Sequence, residues 1–163
     1  MKSIIKLLFL IIFGACSSSQ ISRTPTLPGS IGLIQNCWET KLISCIEDKF
    51  GKANQITNEK LIYLNDTGNE VLTVYRDDDS TKIFSIRYWL FSYPQIDSEV
   101  IRKQIPSDDW QQIPLPERVA HVADLALANH SEKRGAHFLT YKLDKKQEVR
   151  VLYWGGHYKN ISI

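Results

Sequence analysis

Residues 81–93 read TKIFSIRYWLFSY, and this alternating stretch defines the kind of fold that the chain can adopt. In an extended strand one face is apolar and consists of Phe84, Ile86, Tyr88 and Leu90. The other face is mixed and consists of Ile83, Ser85, Arg87, Trp89 and Phe91. A period of two with one apolar face is typical of antiparallel sheets that cover a core on one side. Trp89 and Phe91 then either pack under a second layer or form an exposed binding patch.

Further strands are predicted on both sides of this stretch. Residues 60–64 form one predicted strand, which a cluster of turn-forming residues at 65–69 ends, and residues 71–76, which are β-branched and aromatic, form the next. A hairpin is expected from strands at 137–143 and 148–154, and residues 158–163 could add a last short strand.

Three segments favour helices. Residues 36–50 combine a capping-box pattern, Asn36 with Glu39, with apolar residues at helical spacing, and Gly51 ends the run. Within this segment Trp38 and Phe50 are expected in the core. Residues 98–104 predict a short helix, residues 105–116 an irregular crossing, and residues 116–128 a second, largely buried helix rich in Ala, Leu and Val.

The order of these elements is helix and three strands, followed by helix and two or three strands. It predicts an α+β fold, an antiparallel sheet with helices packed on one side, in a single compact domain over residues 31–163. The two halves share their element order without a residue-level repeat. Each half alone is too small to be stable, so we expect one domain.

The N-terminus carries a targeting signal. Lys2 and Lys6 precede an apolar run at residues 7–13, and Gly14 and Ala15 stand directly before Cys16. This pattern resembles the bacterial lipoprotein signal, which implies a signal peptide at residues 1–15, lipidation of Cys16 and a tether at residues 16–30. The alternatives are an ordinary cleaved signal and a retained anchor. Ser17 does not resemble an inner-membrane retention signal, which implies lipid anchoring in the outer membrane, facing the periplasm.

The charge of the chain belongs to this signal. The net charge is +2, and without Lys2 and Lys6 the remaining 18 basic residues balance 18 acidic ones. A neutral domain gives no electrostatic reason to expect a nucleic-acid partner.

Cys37 and Cys45 leave three possibilities open. On one straight helix their Cα atoms would lie about 12 Å apart, beyond the reach of about 7 Å that a disulfide allows. We therefore favour two separate, mostly buried thiols. A disulfide requires Cys37 to precede the helix and fold back, and a catalytic thiol is the least favoured possibility.

Residues 32–91 resemble the small lipoprotein of the outer-membrane β-barrel assembly machinery. The shared features are the lipidated Cys16, the helix that ends at Phe50-Gly51, the three-stranded sheet and the aromatic pair Tyr88-Trp89. The residue after Lys52 is Ala53 where that family often has proline, and the region after Pro94 has no counterpart. The resemblance implies a protein-binding fold.

No established catalytic or metal-binding motif is present. Asp77-Asp78-Asp79 lacks the glycine and glutamate of a calcium loop, and is interpreted as a hairpin turn. His121 and Asp124 could form a metal site with His137 or His157, but a buried histidine bonded to aspartate is the ordinary interpretation. P-loop, nucleophile-elbow and dinucleotide patterns are absent from the sequence. We therefore predict no catalytic residue, no metal and no cofactor.

These observations favour a non-enzymatic envelope protein. We expect the lipid to hold it at the membrane and the domain to bind a protein or another envelope component. Exposed aromatic residues are the candidate contacts: Trp89, Phe91, Trp110 and Trp154. The alternatives are a carrier of an apolar ligand and, less favoured, an enzyme acting on cell wall or lipid.

Overall fold

A computed structural model describes residues 29–77, 81–90, 97–113, 126–142 and 148–155. The described residues form three helices and eight strands. The helices are α1 (Ser30–Thr40), α2 (Ile43–Phe50) and α3 (Ser98–Gln104). The strands are β1 (Gln55–Ile56), β2 (Lys60–Leu64), β3 (Glu70–Arg76), β4 (Ile83–Trp89), β5 (Gln111–Ile113), β6 (Ala126–Ser131), β7 (Ala136–Lys142) and β8 (Glu148–Trp154).

All eight described strands belong to one sheet in the order β1-β2-β3-β4-β8-β7-β6-β5. Each half of the chain supplies a four-stranded meander, and the halves join where β4 pairs antiparallel with β8. The prediction of an antiparallel sheet in one compact domain is confirmed. The shared element order of the two halves reflects this arrangement, because the last strand of each meander lies at the centre.

Several elements lie where the sequence predicts them. The strands β2, β3, β7 and β8 match within one residue at each end, and α3 covers residues 98–104 as expected. Asp97 starts α3 because its side chain accepts a hydrogen bond from the backbone nitrogen of Val100 at 2.9 Å.

The first predicted helix is broken into two. Lys41 has a left-handed φ of 60°, and its N–H bonds the carbonyls of Cys37 and Trp38. Leu42 is extended and forms a bridge with Lys82 of the segment that leads into β4. The capping-box prediction at Asn36 is therefore wrong, since α1 already begins at Ser30.

This break brings Cys37 and Cys45 together. Their Cα atoms lie 5.3 Å apart and their sulfurs form a disulfide. The prediction of two separate thiols is wrong because it assumed one straight helix. In the structure Cys37 ends up before the second helix, and the chain folds back at Lys41 and Leu42.

The second predicted helix is contradicted at its C-terminal end. Ala126–Ser131 is strand β6, paired with β5 on one side and β7 on the other. Pairing with these neighbours overrides the local helix preference of Ala and Leu. The remainder of that helix, the last short strand and the whole segment 1–28 lie outside the described residues, whereas the predicted irregular crossing contains β5.

The side chains on one face of the sheet pack against the helices and form the main core. We call this side of the sheet the first face and the opposite side the second face. Its members include Ile31 and Ile46 of the helices, Ile101 of α3, and Leu72 and Trp154 of the strands, all at most 1% exposed. Phe50 is buried in this core as predicted, and the partly buried Trp38 packs against the core.

Phe84 does not belong to this core. The register between β3 and β4 shifts near Arg76, so that Ile83 is buried and Phe84 is 59% exposed. This bulge interrupts the alternation that assigned Phe84 to the apolar face.

The Trp38 side chain packs closely against the backbone of two glycines, Gly135 and Gly155. A Cβ atom on Gly155, which has a φ of +68°, would lie 2.2 Å from the Trp38 ring, and one on Gly135 would lie 3.0 Å from its nitrogen. The two glycines therefore allow the indole of α1 to lie against the ends of β7 and β8.

Candidate functional site

The second face of the sheet carries a continuous row of side chains. The register pairs one residue from every strand into this cross-strand row: Gln55, Ile62, Thr73, Arg87, Tyr153, His137, His130 and Gln111. Most members are polar or aromatic. A row of this composition can bind a polar ligand or a protein surface.

Glu70 is the centre of the hydrogen bonding at one end of this row. Its Oε1 accepts from Arg87 Nη2 at 2.6 Å, from Trp89 Nε1 at 3.1 Å and from the Thr73 hydroxyl. A register shift between β2 and β3 places an extra residue, Val71, in β3. This bulge turns Glu70 to the second face, where it meets Arg87 and Trp89.

The charge of Glu70 is stabilised in this position. Burial raises the pKa of its carboxyl, but hydrogen bonds from Thr73, Arg87 and Trp89 and the charge of Arg87 outweigh burial and lower it. Glu70 is therefore ionised at neutral pH, and its ion pair with Arg87 is preformed.

Arg87 lies between aromatic rings. Its guanidinium carbon is 5.0 Å from the centroid of Trp89 and 5.8 Å from that of Tyr75, distances at which cations are attracted to ring faces. Tyr153 of β8 lies directly opposite Arg87. All four side chains are partly exposed, so they remain accessible. We call Glu70, Tyr75, Arg87, Trp89 and Tyr153 the arginine–aromatic cluster.

An apolar patch borders this cluster on β6, β7 and β8. Ala128, Leu139, Val149 and Val151 are at most 1% exposed and pack with the partly buried Trp89, Ile113 and Tyr153. Trp89 thus joins the apolar patch to the charged pair.

Two histidines continue the row. His130 and His137 are directly opposite on β6 and β7, and their rings stack with centroids 4.4 Å apart. Burial, together with the neighbouring His130, lowers the pKa of His137 to about 4. His137 is neutral at pH 7.

The aromatic residues predicted to contact a partner separate into different environments. Trp89 lies in the arginine–aromatic cluster, and Phe91 lies outside the described residues. Trp110 is partly buried beside the main core, where its Nε1 donates to the Ile105 carbonyl at 3.0 Å. The prediction of a surface role for Trp154 is wrong, because that side chain is fully buried on the first face.

The other site predictions receive little evidence. In the described ranges no group of three or more His, Cys, Asp or Glu residues could hold a metal. His121, Asp124, His157 and the lipidation site Cys16 lie outside those ranges. No helix within the described part of the chain has the length and apolarity to cross a membrane.

Sequence reasoning missed the centre of the site. Alternation places Arg87 and Trp89 on the mixed face of the strand, but it does not single out Glu70, Tyr75 or Tyr153. Their convergence depends on the bulge at Val71 and on the pairing of β4 with β8, which link residues far apart in the chain. The local signal is Arg87, the charged residue of β4.

Comparison with known proteins gives little guidance. No protein-family model matches this chain, and no curated protein matches it. Among solved structures, the chain is similar to a DUF4309 family protein, YjgB, from Bacillus subtilis. The sequences are 13% identical, the alignment covers 77% of this chain and 95% of that one, and the TM-score is 0.40.

Proposed function

We propose that this chain is a lipid-anchored, non-enzymatic envelope protein that binds another envelope protein through the second face of its sheet. The observation that carries the proposal is the arginine–aromatic cluster, a preformed group of Trp, Tyr and Arg side chains that is still partly exposed. These three residue types dominate the energetic centres of protein interfaces.

The proposed location rests on two features. The N-terminal sequence through Cys16 has the pattern of a lipoprotein signal. The Cys37–Cys45 disulfide agrees with an oxidising compartment such as the periplasm. In this proposal the lipid lies in the outer membrane and the domain faces the periplasm.

The geometry of the cluster suits binding. The Glu70 carboxylate already holds Arg87 and Trp89 in place by hydrogen bonds. Binding of a partner therefore loses less side-chain entropy than it would with flexible side chains. The apolar patch at Leu139 and Val151 lies directly beside the cluster, and these two side chains are at most 1% exposed. They pack with Trp89 and Tyr153, so the accessible contacts are those of the cluster itself.

The proposal includes the prediction that the helices pack on one side of the sheet. Residues from α1, α2 and α3 join the main core on the first face. The described members of the apolar patch on the second face all come from strands. Helices on one side alone would keep the arginine–aromatic cluster accessible.

Site-specific photocrosslinking in intact envelopes tests this function. A photoreactive residue in place of Ser85, which is partly exposed on the second face opposite Tyr75, is expected to capture one discrete envelope protein. The matched control is the same residue in place of Leu33 of α1, which is 38% exposed. The photoreactive residue at position 33 should not capture the protein that is captured from position 85.

Dependence on the cluster makes the result specific. Arg87→Ala should reduce capture from position 85 at least tenfold, as expected for loss of a central interface side chain. Circular dichroism checks that the variant remains folded. Equal capture from both positions, or full capture by the folded Arg87→Ala variant, contradicts binding through this face.

A further inference from the structure

The paired histidines of the cross-strand row have a feature that the proposed partner binding does not use. Within the part of the chain that the structure describes, Nδ1 of His130 is buried and has no hydrogen-bond partner. A buried nitrogen without a partner is costly in free energy, and it often marks a site for a water or an ion.

We infer that His130 and His137 together bind a divalent late transition-metal ion. The two residues are directly opposed on neighbouring antiparallel strands, and their ring centroids lie 4.4 Å apart. Directly opposed side chains on antiparallel strands have Cβ atoms about 4.5–5.5 Å apart. One cation can therefore reach a nitrogen of each ring once the stacked rings turn about their Cα–Cβ and Cβ–Cγ bonds.

Only neutral imidazole ligates a metal, so we expect the affinity of this pair for a metal ion to fall as the pH is lowered.

The surroundings define the class of metal. Gln111 of β5 lies opposite His130, and Tyr153 of β8 lies opposite His137. The described residues supply no third His, Cys, Asp or Glu to this pair. Two nitrogen ligands with open positions favour Cu²⁺ over Ni²⁺ and Zn²⁺ and disfavour Mg²⁺ and Ca²⁺, which prefer oxygen.

Calorimetric titration of the full mature protein with Cu²⁺, and separately with Zn²⁺, tests the inference. The expected result is one site per chain, tighter for Cu²⁺. His130→Gln should weaken binding at least tenfold, and Gln112→Ala, at an exposed position of the neighbouring strand β5, is the control. Since His130 is partly exposed, its variant is expected to fold even where the buried His137→Gln variant does not.

A second measurement makes the result independent of calorimetry. Zn²⁺ should raise the melting temperature of the wild-type protein and shift the imidazole carbon-bound proton signals of both histidines. The shifts should disappear in His130→Gln. Unchanged metal affinity in a folded His130→Gln variant, or no binding by the wild type, overturns the inference.

Discussion

Trp154 and Gln35 connect the two ends of the domain. The indole nitrogen of Trp154 donates to Oε1 of Gln35 at 2.5 Å, across 119 residues of chain, and both side chains are buried. Gln35 in turn donates to Glu39 in the same helix. A polar side chain of α1 thereby fixes the position of the last described strand.

Replacing Gln35 by Leu is expected to destabilise the protein by about 1–3 kcal/mol, because Trp154 Nε1 would be left buried without an acceptor. Urea unfolding followed by tryptophan fluorescence measures the change. Asn36→Leu, at an exposed position of the same helix, is the control and should have little effect. Equal stability of the Gln35→Leu variant and the wild type would show that the bond contributes nothing.

Gly155→Ala should be more harmful than Gly68→Ala. Both glycines have positive φ, so each substitution costs about 1–2 kcal/mol of backbone strain. At Gly155 the new methyl group also meets the Trp38 ring, which adds about 1–3 kcal/mol of overpacking, whereas at Gly68 nothing lies within 4 Å.

Thermal unfolding of both variants measures the difference. Adding Trp38→Ala should reduce the cost of Gly155→Ala, since the clashing ring is gone. An undiminished cost in the double variant would locate the strain elsewhere.

Reduction of the Cys37–Cys45 disulfide is expected to lower the free energy of unfolding by about 2–3 kcal/mol, the value for closing a loop of this short length. Urea unfolding with and without reductant measures the change, and the Cys37→Ser/Cys45→Ser variant should match the reduced protein. Two free thiols in the unreduced domain, detected by alkylation and mass spectrometry, would contradict the pairing.

The Glu70–Arg87 pair predicts a pH dependence of stability. Because the folded-state pKa of Glu70 is lowered, its stabilising contribution is complete above its unfolded pKa of about 4.3 and is lost as the pH falls through the folded value. The stability difference between wild type and Glu70→Gln should therefore be larger at pH 7 than at pH 3. An identical difference at both pH values would show that the charge of Glu70 is unimportant.

The proposed lipid anchor predicts that Cys16 is essential for membrane retention. In cells fed labelled palmitate, Cys16→Ala should abolish labelling and release the protein from the membrane fraction. Cys37→Ser is the matched control, because it removes a different cysteine and should leave labelling intact. Labelled Cys16→Ala protein would assign the lipid to another residue.

Strands β2, β3, β7 and β8 were predictable because their signals are local. Residues 60–64 precede a cluster of turn-forming residues, and the side chain of Asn65 closes that turn by accepting a hydrogen bond from the backbone nitrogen of Asn69 at 2.8 Å. The short helix at 98–104 is equally local, since Asp97 caps it. Elements whose boundaries are set by residues adjacent in the sequence could be predicted from the sequence alone.

The candidate site could be predicted only in part. Alternation places Arg87 and Trp89 on the correct face, but Glu70 reaches them through a bulge that no local pattern indicates. Ala126–Ser131 carries helix-favouring residues and still forms a strand, because β5 and β7 lie on either side. The break at Lys41 likewise depends on pairing with residues 81–83.

The central position of β8 affects when the chain can fold. The strand beside β4 comes from the end of the described chain, so the sheet stays divided until nearly all residues are available. Contacts between segments this distant in sequence form slowly. In a newly made chain the two meanders can therefore join only after β8 has been synthesised.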